Sequence, residues 1–326
     1  MLITLSAQDL AHIRLLVSPW WETLAAVRTI LHQPALHRAW AKRTLADMAE
    51  DRAGPGHWDV LRTFVVHDRM IAGVLTPTPS RDETFEESVE RVLAQDDTVW
   101  FADLERARNR VERPQSQLVI ERFEADLDAG RDEVAAAARW FWHLAVEPSW
   151  ERIHALQLAD IAHRSGLIAR GGLEEVLQTL HPQVMRVPDG LELQGDCTSV
   201  GAGGRGPGLI LLPCVFAWPG TFVLNRAPFT PTLTYSPRGA GALWDRPVDA
   251  HASPLNALLG GMRATILLHL DVPMTTTQLA VQLMTAAATV SDHLKVLAAA
   301  DLLQSVRRGR EVYYSRTARG DELCRA

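Results

Sequence analysis

The residues best placed to do chemistry lie near the C-terminus of this 326-residue chain. Thr285, Ala287, Ala288, Thr289, Ser291, His293 and Lys295 are small, hydroxylated or basic, and they crowd into one short stretch. Thr275 and Thr276 stand just upstream, and Arg307, Arg308 and Arg310 follow around a glycine. Small residues let a backbone approach a polyanion closely. Hydroxyl and imidazole groups bond phosphate oxygens or base edges, and guanidiniums neutralise phosphates. Docking on double-stranded DNA is the chemistry this set can do.

Such a set needs elements to hold it. AAATVSDHLKVLAAADLL reads as a helix with Val290, Leu294 and Leu297 on one face, at spacings of four and three, and Thr285 in position to cap it. Ala287, Ala288, Ser291, His293 and Lys295 then face outward. TTTQ, opening at Thr275, fits a capping box because Gln278 sits three residues on. The short helix it starts carries Leu279 and Leu283 and ends near Met284. LNALLGGMRATILLHLD reads as one amphipathic helix before both. After them, LLQSV and EVYYS are β-like segments flanking RRGR, a hairpin with a basic tip. A short helix, a tight turn, a second helix and a basic wing, in that order, predict a winged helix-turn-helix over 255–326.

RATILLHLD, TTTQLAVQL, TVSDHLKVLAAADLL and RRGREVYY resemble the ArsR-type winged-helix regulators. The resemblance implies a homodimer built through the outer helices and a third helix of the motif lying in the major groove. Metal-sensing members carry a cysteine pair in the helix before the reading helix. The corresponding QLAVQLMT has none, so no metal is expected there. DLAHIRLLVSPWWET, SWERIHALQLADIAHR, LILLPCVFAWPG and PTLTYSPRGAGALW are similar to a domain of no assigned function that is fused N-terminally to such winged helices in bacteria.

Upstream, Ser18-Pro19 is a helix start, with Trp20, Leu24, Val27 and Leu31 at helical spacing. A second helix covers 35–50, while GPGHWDV and TPTPS at 76–80 read as loops. From Asp82 to about Leu127 the chain is charged and helical, with Phe85, Val89, Val92 and Leu93 inward. Ala135 to Val146 reads as a helix broken at Pro148, and a new one runs from Ser149 to about Arg170. From His181 to about Asp249, Gly and Pro separate apolar bursts (LELQ, GLILLPCVF, TFVL) that read as short strands. The expected fold class is therefore α+β and mainly helical. A helical N-terminal domain (1–180) packs with a β-rich insert (181–250), and a C-terminal winged helix-turn-helix follows (255–326).

The net charge of -6 argues against coating DNA by bulk positive charge. From Arg263 to Ala326, however, Lys and Arg outnumber Asp and Glu by eight to six. Cys197, Cys214 and Cys324 are odd in number and far apart, which fits neither a disulfide framework nor a zinc finger. The N-terminus lacks a signal-peptide pattern, and no run approaches the roughly 18 apolar residues of a membrane span. A soluble cytoplasmic protein is expected.

Other motifs have bland readings. His154, Asp160 and His163 share one helix and could hold a metal, but solvated or capped histidines are commoner. GAGGRGPG leads into a strand-like segment instead of a helix, so a hairpin connection is favoured over a phosphate loop. Ser199 and Cys214 lack a nucleophile-elbow pattern. All ten tryptophans precede residue 250 and serve either as core or as the wall of an effector pocket.

The expected function is sequence-specific, repressive DNA binding without enzymatic activity or cofactor. The expected partners are operator DNA, a second copy of the chain and a small-molecule effector. Thr285, Ala288, Thr289, Ser291, His293 and Lys295 would line the groove, and Arg307, Arg308 and Arg310 would meet the backbone. The competing reading is a scaffold whose winged helix binds protein or only dimerises.

Overall fold

A computed structural model describes residues 2–325 apart from 33, 53, 67–69, 80, 182, 194–197, 201–207, 219, 227–228, 245–253, 271–272, 284 and 309–310. The chain divides into two compact units, Met1–Pro237 and Arg238–Ala326.

The first unit opens with β1 (Leu2–Thr4), α1 (Ala7–Ala11) and β2 (Arg14–Leu15). Then comes α2 (Pro19–His32), buried on nearly every side and therefore an interior helix. Next are α3 (Arg38–Glu50) and α4 (Gly54–Phe64). The sequence reads GPGHWDV as a loop, but α4 occupies it. Pro55 falls in the first turn, where its fixed φ suits a helix and its missing N–H costs nothing, and Val60, Leu61 and Phe64 then bury.

A short hairpin, β3 (Val65–Val66) and β4 (Met70–Ile71), leads to α5 (Phe85–Leu93), which opens on a Thr84–Glu87 capping box. After α6 (Asp97–Arg108) and α7 (Pro114–Ala125), α8 (Leu127–Phe141) runs through a π turn, Trp142–Val146, into α9 (Glu147–Gly171). The break expected at Pro148 is absent. Proline cannot donate to the preceding turn, and the widened turn absorbs the defect, with the Glu147 N–H bonding the Trp142 carbonyl five residues back.

α10 (Leu173–Gln178) precedes the strands β5 (Val184–Val187), β6 (Gly190–Leu193), β7 (Thr198–Val200), β8 (Ile210–Pro213), β9 (Phe222–Leu224) and β10 (Thr232–Tyr235). These form two sheets that take in the N-terminal strands: β1-β6-β5, and β2-β8-β10-β9-β7 with β8 parallel to both β2 and β10. Residues 1–180 are thus not helical throughout. β1 and β2 are too short for alternation to show in sequence. Gly190 permits the β1–β6 approach, since a Cβ there would run into the Ile3 carbonyl oxygen. Ile3, Leu177, Leu191, Leu211 and Leu233 close one apolar core between sheets and helices.

The second unit comprises α11 (Pro254–Leu259), α12 (Gly261–His269), β11 (Met274–Thr275), α13 (Thr276–Gln282), α14 (Ala287–Ala299), β12 (Leu303–Arg308), β13 (Glu311–Arg316) and α15 (Ala318–Arg325). The single helix read across LNALLGGMRATILLHLD is two helices, divided where Gly260 takes φ +79. The strands pair in the order β11-β13-β12. The whole is α+β and mainly helical, with a β-rich middle and a C-terminal winged helix-turn-helix.

Candidate nucleic-acid interface

The candidate interface is built on α13, α14 and the β12–β13 hairpin. α13 is started by a reciprocal cap. The Gln278 N–H donates to the Thr275 hydroxyl at 3.2 Å, and the Thr275 N–H donates to the Gln278 amide oxygen at 2.8 Å. Thr275 is buried and committed to this cap, while Thr276 beside it is half-buried. Leu279 and Ala280 carry the helix into the core.

On α14 the structure buries Val290, Leu294 and Leu297 and exposes Ala287, Ala288, Thr289 and Lys295. Ser291 and His293 are half-buried at the edges of that outer face. Lys295 reaches Asp292 at 3.1 Å in an exposed pair of small energetic weight. Thr285 does not cap the helix as the sequence predicts. The chain is extended at Ala286, which becomes the N-cap and leaves half-buried Thr285 one residue too early. Among the described residues no side chain caps α14, so its first N–H groups and the positive end of its dipole open onto the exposed Ala287-Ala288-Thr289 edge.

The other end of α14 is closed. The Leu302 N–H bonds the Leu297 carbonyl and the Asp301 N–H bonds the Ala298 carbonyl, both at 3.0 Å, with Asp301 left-handed at φ 57. This pattern turns the chain sharply into the wing. There Arg307 pairs across with Val312, and Arg308 with Glu311. Arg307 is exposed, Arg308 ends its strand, and Arg310 lies outside the described residues. The Thr317 N–H to the Leu302 carbonyl, at 3.1 Å, and the Arg316 N–H to the Leu270 carbonyl, at 3.2 Å, tie the hairpin base down.

The other motifs of the sequence do not assemble. Asp160 is buried against Arg164 at 2.7 Å and accepts from the Tyr235 hydroxyl at 2.8 Å. His154 stacks on Trp150, and His163 is exposed. Among the described residues no three His, Cys, Asp or Glu side chains could share a metal. The Cys214 thiol is fully buried, and burial followed by the Glu22 carboxyl pushes its pKa well up, so it is a poor nucleophile. Most of GAGGRGPG lies outside the described residues. Trp20, Trp21, Trp40, Trp100 and Trp142 are core, and Trp142 with Trp150 borders a cavity that sequence reasoning did not single out.

Residues 259–306 match a family of helix-turn-helix domains. The chain ends in a helix-turn-helix domain. That domain spans α12, the α13–α14 pair and the first strand of the wing, and it marks the chain as bearing the DNA-binding module of a regulator. Residues 93–240, much of the first unit, match a family of unknown function, DUF5937. No curated protein and no solved structure matches the chain. No described helix is long and apolar enough to cross a membrane.

Proposed function

We propose that the chain is a sequence-specific transcriptional regulator of the ArsR type, a repressor that acts in the cytoplasm as a homodimer and catalyses nothing. The first unit senses a small effector. The observation that carries this reading is the uncapped, exposed N-terminal edge of α14, backed by a buried apolar face and set beside a hairpin bearing Arg307 and Arg308. A helix so anchored presents small residues, N–H groups and hydroxyls to a groove, while the wing meets phosphates. Dimerisation is supported by exposed Leu258 and Met262 on the outer helices α11 and α12.

The test is fluorescence-polarisation titration of the full chain against its own upstream duplex and a scrambled one over a salt series. The reading expects tighter binding to the native duplex and a linear fall of log affinity with log salt. Equal affinity for both duplexes, with no enrichment in a genome-wide fragment selection, would hand the winged helix to the scaffold reading.

A further inference from the structure

A cavity of about 450 Å³ lies in the first unit where the start of α2, the segment 82–86 and the π turn with α9 come together. One wall is aromatic. The rings of Phe85 and Trp142 stack at 4.6 Å with 12° between planes, and Trp150 meets Trp142 at 5.2 Å and 62°. His154 extends the wall by stacking on Trp150. Val17, Pro19, Thr84 and His143 also line it, with the carboxylates of Asp82, Glu83, Glu86 and Glu147, and among the described residues no lysine or arginine does. Arg91 holds Glu83 and Arg139 grips Glu86, but both guanidiniums stay outside the lining. Glu147 pairs with His143 at 2.7 Å, and its side chain is exposed.

The half-buried Trp150 ring and the carboxylates of Asp82 and Glu147 favour the same charge. Aromatic faces carry negative potential and attract cations, most strongly in indole rings. Carboxylates around a concave, low-dielectric wall focus a field of the same sign. Anions would meet the carboxylates of Asp82 and Glu147, which no arginine holds among the described residues, and a bare metal ion would find no converging ligand set among them. The volume falls in the range of sites for drug-sized molecules. We propose that this cavity binds an organic cation, an amine or quaternary ammonium on an aromatic or aliphatic body, and that this cation is the regulator's effector. The second half of the proposal rests on the regulator reading above.

The test uses the full chain and the probe benzyltrimethylammonium, with benzyl alcohol and benzoate as neutral and anionic counterparts, read by calorimetry and tryptophan fluorescence. The cation should bind, and both counterparts should bind at least about tenfold more weakly. Trp150→Ala should weaken the cation about tenfold and Glu147→Gln about threefold. Glu147 is exposed, so the second variant keeps the test valid if the first fails to fold. Equal binding of the alcohol, or a cation affinity that neither variant changes, overturns the site. Repeating the DNA titration with bound cation separates the two halves of the proposal. A shifted DNA affinity supports the effector role, and an unshifted one removes it while leaving the cation site standing. A chain that takes the cation but never discriminates duplexes loses the regulator reading, not the cavity.

Discussion

Glu22 on α2 accepts a hydrogen bond through Oε1 from the backbone N–H of Phe216 at 2.9 Å, joining a helix near the start of the chain to the turn after β8. Its Oε2 accepts from the Val215 N–H at 3.1 Å and from the Gln157 amide. A buried carboxyl thus organises the backbone where the β-rich middle meets the helices, and His37 packs on the same turn with its ring 4.9 Å from that of Phe216.

These two groups make opposite demands on pH. Burial pushes the Glu22 carboxyl from 4.5 up to about 7, against the hydrogen bonds that favour its anion. Burial pushes the His37 imidazole from 6.5 down to about 3. A carboxyl raised in the fold contributes stability that is complete below its unfolded value of 4.5 and is lost as pH rises through 7. A histidine lowered in the fold contributes stability that is complete above 6.5 and is lost as pH falls toward 3. Between these limits the slopes oppose each other. Glu22→Gln removes the first and leaves the second, so its urea midpoint relative to the parent should climb as pH goes from 4.5 to 7. A difference that stays constant over that range would show that Glu22 does not titrate there.

Gly130 on α8 faces the ring of Phe123, and a Cβ there would lie 2.7 Å from its Cδ1. Alanine gains about 1 kcal/mol of helix propensity but forces a fully buried ring to move, at about 1–3 kcal/mol. The clash should win, so Gly130→Ala should lower the unfolding free energy of the first unit by about 1 kcal/mol. Tryptophan fluorescence in urea will read this; an unchanged or raised midpoint would mean that the core beside Phe123 is slack.

Thr275 is buried in the cap of α13, which favours a structural role over a place in the DNA-facing set. Thr275→Ala should cost the second unit about 1 kcal/mol of stability. It should leave the ratio of affinities for native and scrambled duplexes unchanged. A change in that ratio at constant stability would return Thr275 to the groove.

In the proposed reading Arg307 and Arg308 meet phosphates. Replacing both by alanine should weaken binding to every duplex alike and reduce the slope of log affinity against log salt by about 0.9 for each phosphate contact removed. A slope equal to the parent's would take the wing out of the interface.

What could be read from sequence was whatever depends on near neighbours. The Thr275–Gln278 cap, the apolar face of Val290, Leu294 and Leu297, and the hairpin after Leu302 are all set within a few residues and appear as expected. Thr285 failed as a cap by one residue, because the extended conformation falls at Ala286. Gly54-Pro55-Gly56 looked like a break but begins a helix, and Gly260 looked harmless within a helix but ends one. The cavity was invisible for a different reason: Phe85 and Trp142 stack only because α5 packs against α8, and no local period records that.

The π turn also changes how the α8–α9 rod must be read. At about 100° per residue, Trp142 and Trp150 would stand about 80° apart on an unbroken helix. One residue of extra winding resets the count, and the two indoles come edge to face. The α8–α9 helix therefore runs in two phases, like a screw whose thread has been recut partway along. A deletion of one residue within Trp142–Val146 would abolish the bond from Glu147 to Trp142, return Pro148 to an ordinary helical turn that it cannot complete, and rotate all of α9, from Trp150 through Gln157 to Arg164, away from the partners those side chains now meet.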